Sequence, residues 1–63
     1  MTKSQFQAKL KQLRKGKSLG ELHQEIAEKT GYSVKTVERA AGKGKIDASK
    51  RFYETFKREY GNN

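Results

Sequence analysis

Apolar side chains recur at helical spacing in separate segments of this chain. Near the start, Phe6, Leu10 and Leu13 follow one another at i, i+4 and i+7, which places them on one face of a helix. Near the end, Phe52 and Phe56 lie one helical turn apart in an aromatic stripe. No proline interrupts either segment. The pattern predicts an all-α, compact four-helix domain, with helices near 4–15, 19–30, 33–41 and 47–60.

Each predicted helix begins at a residue with a short polar side chain that can cap its first turn. The expected caps are Ser4, Ser18, Ser33 and Asp47. Gln7 and Glu21 follow the first two caps by three residues, which is the spacing of a capping box. Gly31 is expected to end the second helix, because glycine adopts the left-handed conformation without steric strain.

The inward faces of these helices define the expected core. The core residues are expected to be Phe6, Leu10, Leu13, Leu22, Ile26, Ala27, Val37, Ala40, Phe52 and Phe56. Tyr53 and Tyr60 lie nearer the edge of the aromatic stripe, so we expect half-exposed rings whose hydroxyls are free for phosphate or a second copy. An alternative interpretation makes the same aromatic residues a stacking platform for single strands.

The segment EIAEKTGYSVKTVERA, residues 25–40, has the spacing of two short helices joined by a tight turn. Ala27 is small where the second helix would cross, Gly31 permits the turn, and Val37 and Ala40 face inward. The portion TGYSVKTVERA resembles the helix-turn-helix of phage-repressor, Cro-like and related bacterial regulators. Excisionase-like and MerR-type domains share this core motif, so the subfamily stays open. The resemblance implies one DNA-binding domain over residues 1–63, with the motif at about 19–41.

The resemblance implies that the third helix enters the major groove and reads bases with its exposed face. On this face Lys35 and Arg39 are the expected donors to guanine, and Glu38 is the expected acceptor from cytosine. Glu38 has an alternative role as an intrahelical partner of Lys35. Val34 either packs inward or touches a thymine methyl group. Ser33 and Thr36 carry short hydroxyls suited to phosphate, and Ser33 is also the expected cap.

Charge is distributed unevenly along the chain, whose formal net charge is +8. Residues 1–20 carry six basic side chains and no acidic one, and residues 42–63 carry six basic against three acidic. Basic ends that flank a nearly neutral centre suit a protein that grips phosphates beside a reading helix. The expected phosphate contacts in these ends are Lys9, Lys15, Lys17, Lys43 and Lys45. His23 is either a further phosphate contact or a partly buried packing residue.

Several functions lack the residues they need. The chain has no cysteine and one histidine, so we expect neither a metal site nor a cofactor. We identify no catalytic residue and expect no enzyme, since the GKGK segment lacks the spacing of a phosphate-binding loop. Apolar runs never exceed two residues, which predicts no membrane span and a cytoplasmic, nucleoid-associated protein.

The expected partner is double-stranded DNA, and the expected role is transcriptional regulation or an accessory role in a phage, plasmid or other mobile element. One helix reads few base pairs, so we expect a homodimer or cooperative assembly on DNA, with Tyr53 and Tyr60 at the contact. Two other functions stay open. The fold could serve as a protein-binding module, such as an antirepressor or accessory subunit, or the chain could bind RNA or single strands.

Overall fold

A computed structural model describes residues 1–42 and 45–61 of the chain. Four helices account for most of this part, and no strand occurs in the described ranges. They are α1 (Lys3–Arg14), α2 (Leu19–Thr30), α3 (Val34–Ala41) and α4 (Lys50–Tyr60). The all-α, four-helix architecture predicted from the apolar spacing is therefore confirmed. Lys43, which was expected to contact phosphate, lies outside the described residues.

The first helix begins earlier than predicted. Thr2, and not Ser4, caps α1, and Gln5 completes a capping box with it. The Thr2 side chain accepts from the Gln5 backbone N–H at 3.2 Å, and the Thr2 N–H donates to the Gln5 side chain at 2.9 Å. The prediction of a box at Ser4 and Gln7 was wrong because Thr2 and Gln5 have the same spacing two residues earlier. Gln7 is thereby free to contact another helix.

The turn between α2 and α3 has the local chemistry that the sequence predicted. Gly31 adopts a left-handed φ of 78°, and its N–H donates to the Ala27 carbonyl at 2.9 Å, which closes α2. Ser33 caps α3 by accepting from the backbone N–H of Thr36 at 3.3 Å. Ala27 is buried, as a small residue at this position allows. The three-residue turn thus joins α2 to α3 with Gly31 as its one residue of positive φ.

The fourth helix starts at Lys50, three residues later than predicted, with Ser49 as its cap. The Ser49 hydroxyl accepts from the Phe52 N–H at 3.2 Å. The expectation that Asp47 caps this helix was wrong. Its carboxylate accepts instead from the Ala48 N–H at 2.8 Å and from the hydroxyl of Tyr53. Asp47 therefore bonds to the side chain of Tyr53 and does not cap α4.

Nine of the ten predicted core residues are buried, and Leu13 is half-buried against them. Phe6 lies at the centre, with its ring edge-to-face against Phe52 at 5.5 Å, Tyr53 at 5.8 Å and Phe56 at 4.7 Å. Such pairs contribute beyond the apolar area they bury. The core thus joins α1 to α4 through aromatic rings.

Two expectations about the edge of the aromatic stripe need correction. Tyr53 is only 5% exposed, and its hydroxyl donates to Asp47, so it is neither half-exposed nor free. The Tyr60 ring is half-buried against Phe56, but its hydroxyl oxygen is buried without a partner among the described residues. Neither hydroxyl is therefore presented to phosphate or to a second copy.

Two polar residues of α1 hold the end of α3. The Lys3 Nζ donates to the carbonyl oxygens of Arg39 at 2.6 Å and Ile46 at 2.7 Å. The Gln7 Nε2 donates to the carbonyl oxygens of Ala41 at 3.1 Å and Gly42 at 3.0 Å. Carbonyls in the last turn of a helix have no partner within the helix, and a cation there also favours the helix dipole. These contacts fix α3 against α1.

Candidate nucleic-acid interface

The helix α3 divides into a buried face and an exposed face. Val37 and Ala40 are fully buried in the core, while Lys35, Glu38 and Arg39 are exposed. Lys35 and Arg39 are four residues apart, so their side chains leave the same side of the helix. The three polar residues expected to read bases therefore share one accessible surface.

The side-chain hydroxyl groups in the first turn of α3 form hydrogen bonds within that turn. The Ser33 hydroxyl caps the helix and lies 3.1 Å from the hydroxyl oxygen of Thr36. Val34 is half-buried against the core. Ser33 thus has the capping role, and Val34 has the inward packing that the sequence left as one of two alternatives. Both serine and threonine remain near the surface at the start of the helix.

Glu38 does not form the intrahelical ion pair that was its alternative role. No salt bridge within 4.0 Å joins it to Lys35 in the part of the chain that the structure describes. Glu38 instead lines two surface depressions that both include residues of the last turns of α3. Glu38 is thereby available to an external donor, as a base-reading role requires.

A shallow, open depression of about 470 Å³, which we name the basic cleft, lies beside the exposed face of α3. It is lined by Lys35, Glu38, Arg39, Gly42, Lys45 and Ile46. The cleft brings Lys45, one of the expected phosphate contacts, next to the expected reading residues. Ile46 was not singled out from the sequence, because an isolated apolar residue in a polar segment carries no periodic signal. Only the folded structure shows that Ile46 lies beside α3.

Lys9, Lys15 and Lys17, which were also expected to contact phosphate, do not line this cleft. Lys9 is half-exposed, and Lys15 is exposed at the end of α1 with a left-handed φ of 41°. The Lys17 Nζ pairs with the Glu25 carboxylate at 2.5 Å, and this hydrogen bond lowers the pKa of Glu25 below its ordinary value of 4.5. Lys17 thus already has an anionic partner within the fold.

His23 lies in a different depression, a groove of about 640 Å³ between α1, the start of α2 and the end of α3. Leu19 and Ala8 contribute apolar surface to this groove, and Lys11 and Arg14 contribute positive charge. The imidazole is half-buried, and its Nε2 atom is buried with no hydrogen-bond partner among the described residues. This placement favours the packing role of His23 over the phosphate contact.

Among residues 1–42 and 45–61, no group of three or more His, Cys, Asp or Glu side chains is arranged to hold a metal ion. No helix in the same ranges is both long and apolar enough to cross a bilayer. No protein-family model, curated protein or solved structure matches this chain.

Proposed function

We propose that this protein binds double-stranded DNA and inserts α3 into the major groove. The observation that supports the proposal is that α3 has one buried and one exposed face. Its inner face and last turn are held by the rest of the fold, while Lys35, Glu38 and Arg39 are exposed. A rigidly held helix that presents long polar side chains suits direct contact with base edges. The sequence resemblance favours a regulator or recombination accessory protein.

Each exposed residue of α3 has a chemical match on a base edge. The Lys35 ammonium and the Arg39 guanidinium can donate to the O6 and N7 acceptors of guanine. The Glu38 carboxylate can accept from the N4 amino group of cytosine. The planar fork of Arg39 favours two parallel hydrogen bonds to one guanine, so we expect Arg39 to contribute more specificity than Lys35.

Phosphate contacts would supply most of the affinity without specifying a sequence. Lys45 borders the reading face, and Lys9 and Lys15 add positive charge on and after α1. A net charge of +8 favours release of condensed counterions when the protein binds a duplex. We expect Lys17 to contribute less, because it would first have to leave Glu25.

Selection from a random duplex library, followed by titration of the selected sites, tests the proposal. We expect Lys35→Ala and Arg39→Ala to lose discrimination of roughly 1–3 kcal/mol at particular base pairs. Lys9→Ala, Lys15→Ala and Lys45→Ala should weaken selected and random duplexes alike. Each of these three substitutions should make the negative slope of log affinity against log salt concentration less steep by about 0.9.

Lys57→Ala and Arg58→Ala are matched controls, since both side chains are exposed on α4 away from the cleft. They should leave base discrimination unchanged. If the α3 variants discriminate between selected and random duplexes as well as the wild type, α3 is not the reading helix. Failure of the wild type to enrich any duplex would reject sequence-specific DNA binding itself.

A single-stranded oligonucleotide of the selected sequence serves as a competitor that tests the nearest alternative. Sequence-tolerant binding of single strands relies on exposed aromatic rings. Phe52, Tyr53 and Phe56 are buried, which weighs against a stacking platform on α4. We therefore expect the protein to bind the duplex more tightly than the single strand. Tighter binding of the single strand would favour a single-strand-binding function.

We also propose that two copies act together on DNA, because the reading surface of one α3 spans few base pairs. Half-sites about 34 Å apart would place both copies on one side of the duplex. The burial of Tyr53 removes it from the contact first expected to pair the copies. Cooperative titration on the best selected duplex is the expected result, and a non-cooperative footprint of one copy would contradict it.

A further inference from the structure

We propose that Ile46 contacts the C5-methyl group of a thymine in the groove that α3 enters, and so helps to select the DNA sequence. The inference rests on the proposed DNA-binding function and adds to it a reading residue outside α3. Three observations support it: the exposure of Ile46, its place in the basic cleft, and the hydrogen bond that holds its backbone.

Ile46 is the most exposed large apolar residue in the described part of the chain. Its exposed fraction is 68%, compared with 48% for Leu19 and 40% for Met1. A single exposed aliphatic side chain is common on protein surfaces and by itself indicates nothing. The surroundings of Ile46 make it informative.

The cleft beside α3 places Ile46 among the residues proposed to read DNA. Lys35 and Arg39 border it on the helix, and Lys45 precedes it in the chain. Three cationic residues and one acidic residue therefore line the same surface depression as this isoleucine. An apolar protein partner would have to desolvate these charges, whereas DNA would pair them with phosphates and base edges.

A shared hydrogen-bond donor links the backbone of Ile46 to the last turn of α3. The Lys3 Nζ donates to the Ile46 carbonyl at 2.7 Å and to the Arg39 carbonyl at 2.6 Å. One ammonium group thus joins the backbone of Ile46 to the last turn of α3. Because the backbone position is fixed relative to Arg39, the Ile46 side chain reaches a defined place when α3 is bound.

The major-groove edges of the base pairs offer one apolar group, the methyl of thymine. Contact between this methyl and an isoleucine removes apolar surface of both from water. Burial of one or two groups of methylene size corresponds to a change in affinity of about fourfold to fifteenfold. The inference therefore predicts a thymine preference at one position beside the bases read by α3.

The test combines a protein variant with a base analogue. Ile46→Ala, Ile46→Val and the wild type are titrated against the selected duplex and against duplexes in which single thymines are replaced by deoxyuridine. Deoxyuridine lacks only the methyl group and pairs as thymine does. Leu19→Ala is the matched control, because Leu19 is also an exposed aliphatic residue but lies outside the cleft.

We expect one thymine whose replacement weakens binding of the wild type about fourfold to fifteenfold. Ile46→Ala should weaken binding to the unmodified duplex by a similar factor and should be insensitive to deoxyuridine at that position. Ile46→Val should keep most of the sensitivity, and Leu19→Ala all of it. Melting curves should coincide for the wild type and Ile46→Ala, since this side chain is exposed.

The outcomes separate this inference from the function on which it rests. If α3 variants lose discrimination but deoxyuridine affects the wild type and Ile46→Ala equally, the inference fails and the DNA-binding proposal stands. Equal affinity of Ile46→Ala and wild type for the unmodified duplex would also reject the inference. A loss of self-association in Ile46→Ala, without coupling to deoxyuridine, would assign Ile46 to a contact between copies. If the wild type selects no duplex, both proposals fall.

Discussion

Lys3 donates from Nζ to the carbonyl oxygen of Arg39 at 2.6 Å, which ties the first turn of α1 to the last turn of α3. These residues are 36 positions apart in the chain. The bond uses a cation from the strongly basic N-terminal segment to satisfy a helix end. Lys3 therefore has a structural role that its charge alone would not suggest.

Replacing Lys3 with alanine should lower the stability of the fold by about 1 kcal/mol, because a charge-assisted contact to the end of α3 is lost. For a domain of this size that corresponds to a decrease in melting temperature of about 4–8 °C. Lys11→Ala is the control, as an exposed lysine on the same helix. Equal melting of the Lys3 variant and the wild type would show that the contact contributes nothing.

Phe56→Ala should cost about 3–5 kcal/mol, since it leaves a cavity beside Phe6 in the aromatic core. The two rings lie 4.7 Å apart, and both are fully buried. The loss is comparable to the whole stability of a small domain, so we expect most of the variant to be unfolded at room temperature. Circular dichroism should report lost helicity, whereas Leu19→Ala should retain it. A Phe56→Ala variant that melts like wild type would contradict this core.

Gly31→Ala and Gly20→Ala should change stability in opposite directions. Gly31 has a φ of 78°, so a side chain there is strained by about 1 kcal/mol or more even though no atom obstructs it. Gly20 lies in α2 with equally open space, and alanine should stabilise this helix by about 0.5 kcal/mol. Urea denaturation of both variants measures the difference. Destabilisation by Gly20→Ala equal to that by Gly31→Ala would rule out the backbone explanation.

The contact between Tyr53 and Asp47 should make stability depend on acidity. The hydrogen bond from the Tyr53 hydroxyl holds the pKa of Asp47 below its ordinary value of 3.8. The unfolded chain therefore takes up this proton first as the pH falls. The contribution is present above about pH 4 and is lost as the pH decreases through the folded-state pKa.

Tyr53→Phe should remove this contribution while keeping the ring in the core. We expect the melting temperatures of wild type and Tyr53→Phe to differ at neutral pH and to converge as the pH falls below about 4, through the lowered pKa of Asp47. Other carboxylates, including Glu25, are present in both proteins, so their titration cancels in the difference. A difference that stays constant over this range would contradict the role of Asp47.

Burial raises the pKa of the Tyr53 hydroxyl above its ordinary value of 10.0, and the hydrogen bond to Asp47 raises it further. A raised pKa means that the folded state retains this proton longer than the unfolded chain. The corresponding stability is present below about pH 10 and is lost as the pH rises beyond that value. Tyr53→Phe should therefore also reduce the alkaline sensitivity of the fold.

Local sequence was sufficient to place the helices and most of the core. The spacing of Phe6 and Leu10 and of Phe52 and Phe56 predicted faces that are buried in the structure. Gly31 and Ser33 marked the turn before α3, since a left-handed glycine and a capping serine act within a few residues of themselves. Periodicity is a local property that one sequence is enough to read. Capping was predicted correctly at Ser18 and Ser33 but not at Ser4 or Asp47.

The tertiary structure alone decided the partners of Asp47, Gln7 and Lys3. Asp47 had the spacing of a cap but bonds to Tyr53, and Gln7 had the spacing of a capping box but bonds to the end of α3. The Lys3 Nζ reaches the carbonyl oxygens of Arg39 and Ile46 only because the fold brings these distant residues beside the first turn of α1. A polar side chain can satisfy its hydrogen bonds locally or across the fold, and the choice depends on which backbone groups packing leaves without a partner.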